Sequence, residues 1–150
     1  MTPAPREWKF ASNHVQLKMP DVLWHKVQGV TTLEDAVQLM EIYREVATQQ
    51  PFFLVTDLSE ATTLTDKARR YASEHLRPEW FVGSIYIGAR LLHRAVAKGL
   101  ALIHHLTGRT DATVTSVVHF VNTEAEAWAL IDQLRKTRQQ GPDSGSKLSI

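Results

Sequence analysis

The side chains best suited to chemistry fall between positions 57 and 69. They are Asp57, Ser59, Thr62, Thr65, Asp66 and Arg69. An apolar run, Phe52 to Val55, precedes them, and a segment of helical character follows. That order places them in a loop between the carboxyl end of a strand and the amino end of a helix. Open α/β sheets collect ligands at such places. Helix amino termini favour anions, although Asp57 and Asp66 would oppose one. Arg90, just past a strand ending at Ile87, is expected to lie close by. The same residues also have a plainer use, in which Asp57 and Ser59 shape a turn and Asp66 or Thr65 caps the helix.

Other chemistries lack their residues. With 0 Cys there is no disulfide framework, thiolate site or cysteine nucleophile, and a reducing, cytoplasmic setting is expected. The 7 His form no H-E-x-x-H or H-x-x-x-H pair. His93 and His104 share a helical face but lie too far apart for one metal, and His25 and His119 are expected as core residues with hydrogen-bond partners. G-x-S-x-G and the glycine-rich phosphate loops are absent. No catalytic residues, metal or cofactor are therefore expected. A formal net charge of +1 gives no electrostatic footprint for nucleic acid. No apolar stretch is long enough for stable membrane insertion, and the amino terminus does not read as a signal peptide.

The elements that must position these residues follow from periodicity. The 150 residues suit one domain, residues 1–138, with a loose start over 1–6 and a polar, disordered tail over 139–150. Segments 8–19 and 22–27, separated by Pro20 and Asp21, predict an opening β-hairpin ended by Gly29. Thr31 and Glu34 have capping-box spacing, and Leu33, Ala36, Val37, Met40, Tyr43 and Ala47 form one helical face over 31–47. Residues 52–56 read as a strand covered on both faces. A helix over 66–76, a strand over 80–87, a long helix over 89–106, a strand over 114–121 and a final helix from Thr123 follow. Ala127, Leu130, Ile131 and Leu134 mark the inner face of that last helix. The helix over 89–106 is apolar over a wide arc. It is either buried between the sheet and another element or in contact with a partner subunit or a lipid. The order β-β-α-β-α-β-α-β-α implies an α/β fold with a mixed, largely parallel sheet.

The segment LVTDLSEATTLTDKARRY resembles the signature region of STAS domains, the SpoIIAA-like branch in particular. Asp57, Leu58, Ser59 and Leu64 stand at matching places, and VVHFVNTEAEAWALI is similar to the closing strand and helix of such domains. The resemblance spans about residues 8–137. It implies a non-enzymatic regulatory or protein-interaction domain, similar to anti-sigma factor antagonists. Its docking surface would be the loop and helix around residues 57–70. A regulatory kinase or signalling protein is the expected partner, and a homodimer is compatible with it. One departure is evident: the phosphorylated Ser of those antagonists corresponds to Lys67 here, and the following Gly to Ala68. Thr65 is the remaining hydroxyl at which phosphorylation could occur. Stand-alone SpoIIAA-like proteins also resemble CRAL-TRIO lipid carriers. That likeness implies an alternative function, the binding of a small apolar ligand or lipid, which the wide apolar helix and Trp80, Phe81 and Tyr86 would serve.

Overall fold

A computed structural model of the chain describes residues 6–18, 20–90 and 118–148, with side chains described as far as residue 137. Its elements are β1 (Glu7–Phe10), β2 (Asn13–Lys18), β3 (Val22–Thr31), α1 (Leu33–Ala47), β4 (Phe52–Leu64), α2 (Asp66–His75), a 3-10 turn (Pro78–Trp80), β5 (Phe81–Ile87), β6 (Val118–Val121) and α3 (Glu124–Leu148). The helix expected over 89–106 and the strand start at 114–117 lie outside the described residues.

The six strands form one sheet in chain order. β1 to β3 are antiparallel, whereas the β3–β4, β4–β5 and β5–β6 pairings are parallel. The mixed, largely parallel sheet is therefore as the sequence predicts. The opening differs from the predicted hairpin. Residues 8–19 are not one strand but two, folded back at Ala11, which carries a left-handed φ of 50°. No Gly or Asn-Gly marks that turn, so the usual sequence signal is missing.

The sheet separates two apolar clusters. On one face Leu23, Phe52 and Leu54 pack with Leu39, Met40, Ile42, Tyr43 and Val46 of α1 and Ala72 of α2. On the other, Val22, Trp24, Phe53, Val55, Ile85 and Ile87 pack with Ala127 and Ile131 of α3, with Leu130 and Leu134 partly buried beside them. β4 feeds both clusters because its neighbours cover it on either side. Phe52 and Phe53 point to opposite faces and are fully buried, each stabilising the fold by about 1.5–3 kcal/mol. The Trp24 and Trp128 rings stack with centroids 5.3 Å apart, and Arg135 of α3 is tied to Asp21 at the start of β3.

Caps sit where hydroxyls precede helices, with one shift from the predicted registers. The box on α1 uses Thr32 and Asp35, one residue beyond Thr31 and Glu34. Thr32 Oγ1 accepts from the Asp35 N–H at 3.3 Å, and Asp35 Oδ2 accepts from the Thr32 N–H at 2.9 Å. On α3, Thr123 Oγ1 accepts from the Glu126 N–H, while the Glu126 carboxylate reaches back to the Asn122 N–H. The α3 backbone stays helical to Leu148, through most of the stretch whose composition reads as a tail.

β3 and β4 run on where the sequence suggests an ending. β3 passes Gly29 to Thr31, and β4 passes Asp57 to Leu64, so the predicted loop is a continued strand. The register shifts between Lys26 and Gln28 and again between Gly29 and Val30, each shift placing one extra residue on β4. Such bulges bend and twist a strand, and Gly29 meets the bend with φ +72°. Gly88, φ +66°, turns the chain out of β5, and a Cβ there would stand 3.2 Å from Ser59 Cβ and 3.3 Å from its Cα. Gly29 has nothing within 4 Å of that position. Gly29→Ala is accordingly expected to destabilise by about 1 kcal/mol, the left-handed backbone penalty alone, and Gly88→Ala by distinctly more, about 2 kcal/mol or above. Urea unfolding of the two variants against the parent checks the ordering.

Candidate functional site

The residues singled out by type form two small groups toward the carboxyl end of β4. Asp57 Oδ1 accepts from the Ser59 N–H at 3.0 Å and from the Ser59 hydroxyl at 2.7 Å. Gly88 packs against Ser59, which brings the end of β5, and so the start of the segment carrying Arg90, beside this turn. The second group opens α2. Thr65 is the N-cap, its hydroxyl accepting from the Ala68 N–H at 3.1 Å, so the cap is Thr65 and Asp66 is the first helical residue. Asp66 and Arg69 pair at 3.0 Å, both exposed. Lys67 is exposed and Ala68 is fully buried. Thr62 is exposed on the continued strand, and Arg90 is exposed beyond β5. Asp57 and Ser59 thus act on each other, as do Thr65, Asp66 and Arg69 locally. Among the described residues no cluster of His, Asp and Glu could hold a metal, and no helix is long and apolar enough to cross a membrane.

A different feature carries more of the site. Between the sheet and helices α1 and α2 lies a cavity of about 150 Å³. The sheet supplies His25 and Val27 from β3, Leu54, Thr56 and Leu58 from β4, and Tyr86 from β5. Met40 and Tyr43 of α1, with Ala72 and Leu76 at α2, form the opposite wall. Thr31, Ala61, Thr63 and Leu64, from the continued strands, complete it. The bulges make this possible. Leu58 and Ala61 are three residues apart and would face opposite sides of a regular strand, yet the extra residue between Asp57 and Glu60 lets both line the same space. The cavity lies toward the carboxyl ends of the parallel strands, on the side where such sheets receive ligands.

Its polar groups are few and neutral. His25 is 2% exposed, and its Nε2 lies 2.8 Å from Asn13 Oδ1. Loss of water around the ring pulls its pKa down from 6.5 to about 4, against the pull of the Asp35 carboxylate in the other direction. The Tyr43 phenol is raised far above its ordinary range, first by burial and then by Tyr86, and the partly covered Tyr86 is pushed up to about 12 by loss of water. Thr56 is buried among them. His119, predicted as a core histidine, is half-buried on β6 with its pKa lowered by loss of water.

Sequence signals for this wall exist in hindsight at three positions. On one face β3 reads Leu23, His25, Val27 and β4 reads Leu54, Thr56, Leu58, while β5 adds Tyr86. A polar residue interrupts an apolar face at the same level of adjacent strands. Pairing that level requires the strand register, which periodicity alone does not provide.

No protein-family model matches this chain, and no curated protein does. Solved structures do. An uncharacterised protein from the DUF3478 family with a SpoIIAA-like fold, from Shewanella loihica PV-4, superposes with a TM-score of 0.53 at 15% identity, covering 87% of this chain and 97% of that one. The anti-sigma factor antagonist SpoIIAA in its unphosphorylated form superposes with a TM-score of 0.49 at 10% identity, covering 88% and 98% respectively. The chain has a SpoIIAA-like, STAS-like fold, as its strand-loop-helix segment predicts.

The buried histidine has a measurable signature. Unfolded His25 takes up its proton near 6.5 and folded His25 only near 4. Between those values the unfolded chain binds more protons, so stability falls as pH falls through that window. The expected loss from this residue is on the order of 3 kcal/mol. Asn13→Leu/His25→Phe, which removes both partners of the hydrogen bond, is expected to flatten that part of the profile. Urea midpoints of the two proteins from pH 7 to 4 report it.

Proposed function

We propose that this chain is a non-enzymatic, SpoIIAA-like binding module that holds a small, largely apolar molecule in the cavity between the sheet and helices α1 and α2. The cavity itself supports this reading. About 150 Å³ is enough for a single six-membered ring, and well below the volume of pockets that enclose drug-sized ligands. The occupant is therefore a one-ring or short-chain compound, or the apolar end of something longer. A wall mainly of Met, Leu, Val and Ala side chains favours hydrocarbon, and a few hydroxyls and an imidazole can orient it. Among the described residues that wall holds no Lys or Arg, which disfavours a fully charged guest.

A second reading concerns the surface of α2. Lys67, Arg69 and Arg70 are exposed there beside Thr62, a charged face that a regulatory kinase or signalling protein in the cytoplasm could contact. With Lys67 in place of the phosphorylated Ser, such docking would not use the usual phosphate switch. The two readings are compatible, since α2 forms both the wall of the cavity and that outer face. If both hold, filling the cavity would be felt at the docking surface.

Titration with toluene, followed by protein NMR, tests the binding reading. Amides of His25, Leu54, Met40 and Tyr86 are expected to shift at millimolar toluene or below, with a rise in melting temperature. Ala72→Leu, which extends a buried side chain into the space, is expected to abolish these shifts while holding or raising stability. Wild-type spectra that ignore single-ring compounds up to their solubility would count the cavity out as a binding site.

A further inference from the structure

His25 enters the cavity wall with a polar atom left over. Its Nε2 faces Asn13 Oδ1 at 2.8 Å. An amide oxygen can only accept, so Nε2 carries the hydrogen, and Nδ1 of the neutral ring keeps a lone pair. That Nδ1 is buried and has no hydrogen-bond partner among the described residues. Buried polar atoms are nearly always satisfied, so this Nδ1 calls for a partner that the described residues do not supply. Among the described residues the cavity lining holds Val27, Leu54 and Met40 with His25 and no carboxylate, Lys or Arg, the Asp35 carboxylate acting on the ring from outside that lining. Burial keeps the ring neutral down to acid pH, so the lone pair persists across the ordinary range.

We propose that the cavity selects a small ring compound bearing an O–H or N–H donor, a phenol in its simplest form, and that His25 Nδ1 is the acceptor that reads it. The proposal rests on the binding reading above and adds to it a choice among ligands. A hydrocarbon or an ether of the same shape fills the space but offers Nδ1 no hydrogen. A carboxylate offers none either, and brings a charge that the wall does not compensate. A site built around a hydrogen bond discriminates against the analogue lacking it, because the site's own polar atom is then left unpaired. Tyr43, Thr56 and Tyr86 line the same space.

The test follows the His25 ring nitrogens of the full chain by long-range proton–nitrogen NMR while phenol, anisole and toluene are titrated in turn. Phenol is expected to move the Nδ1 resonance. Anisole and toluene are expected to shift the backbone amides around the cavity and leave Nδ1 where it was. In Asn13→Leu/His25→Phe the affinity for phenol relative to toluene is expected to drop about tenfold, the loss of one hydrogen bond. If all three compounds bind and phenol leaves Nδ1 unmoved, the role of His25 is refuted and the cavity stands. An unchanged phenol-to-toluene ratio in the double variant has the same meaning. If none of the three binds, the cavity reading fails and this one with it. Should the double variant not fold, the wild-type Nδ1 resonance decides alone.

Discussion

The parallel pairing of β3 and β4 is the constraint on which the rest depends. β4 carries the two fully buried phenylalanines that begin the two apolar clusters, and β3 lies along nearly its whole length. α1 must cross over between them, which fixes it on one face. α2 leaves the far end of β4 and lands on the same face beside α1. Only then is the other face free for α3, with Trp128 stacked on Trp24 and Arg135 held by Asp21. If that pairing slipped by one residue, every side chain of β4 would change face, and both clusters would lose their members.

The same pairing makes the cavity. A sheet that stopped at Asp57 would leave α1 and α2 to close over its end directly. Here the two strands continue, bend at two bulges and bring Ala61, Thr63 and Leu64 back toward the helices. The space is thus bounded by the feature that departs most from a regular strand. Irregular strand geometry beside a binding site is a recurrent arrangement, because a bulge re-aims side chains without breaking the sheet. The SpoIIAA-like architecture supplies the walls, and the particular residues at the ends of β3, β4 and β5 supply the chemistry.

Most of the architecture was legible in the sequence, and the reasons are local. The α1 face from Ala36 to Tyr43, the two-sided burial of Phe52 to Val55 and the inner face of α3 each follow from apolar spacing that packing then enforced. What escaped was decided by neighbours. The turn at Ala11 has no residue that prefers a positive φ, so nothing in the chain announces it. The sequence places Thr62 in a loop, but β-branched residues such as Thr62 and Thr63 fit a strand well, and β3 alongside supplies the ladder. The hydroxyls and carboxylates at 57–69 proved to bond mainly among themselves, as turns and caps do. The cavity depends on which strand positions stand level with one another, and that relation exists only once the sheet is assembled.

Strand order in this sheet equals order along the chain. Among the described residues no strand pairs with anything beyond its immediate predecessor and successor, so each pairing closes one connection only, of 16 to 30 residues at the three parallel steps. Loop-closure entropy is smallest at the two antiparallel turns and larger at the three parallel crossovers. A sheet built this way can grow outward in one direction from the first hairpin. Its antiparallel start can close quickly, and the parallel crossovers after it set the pace of assembly.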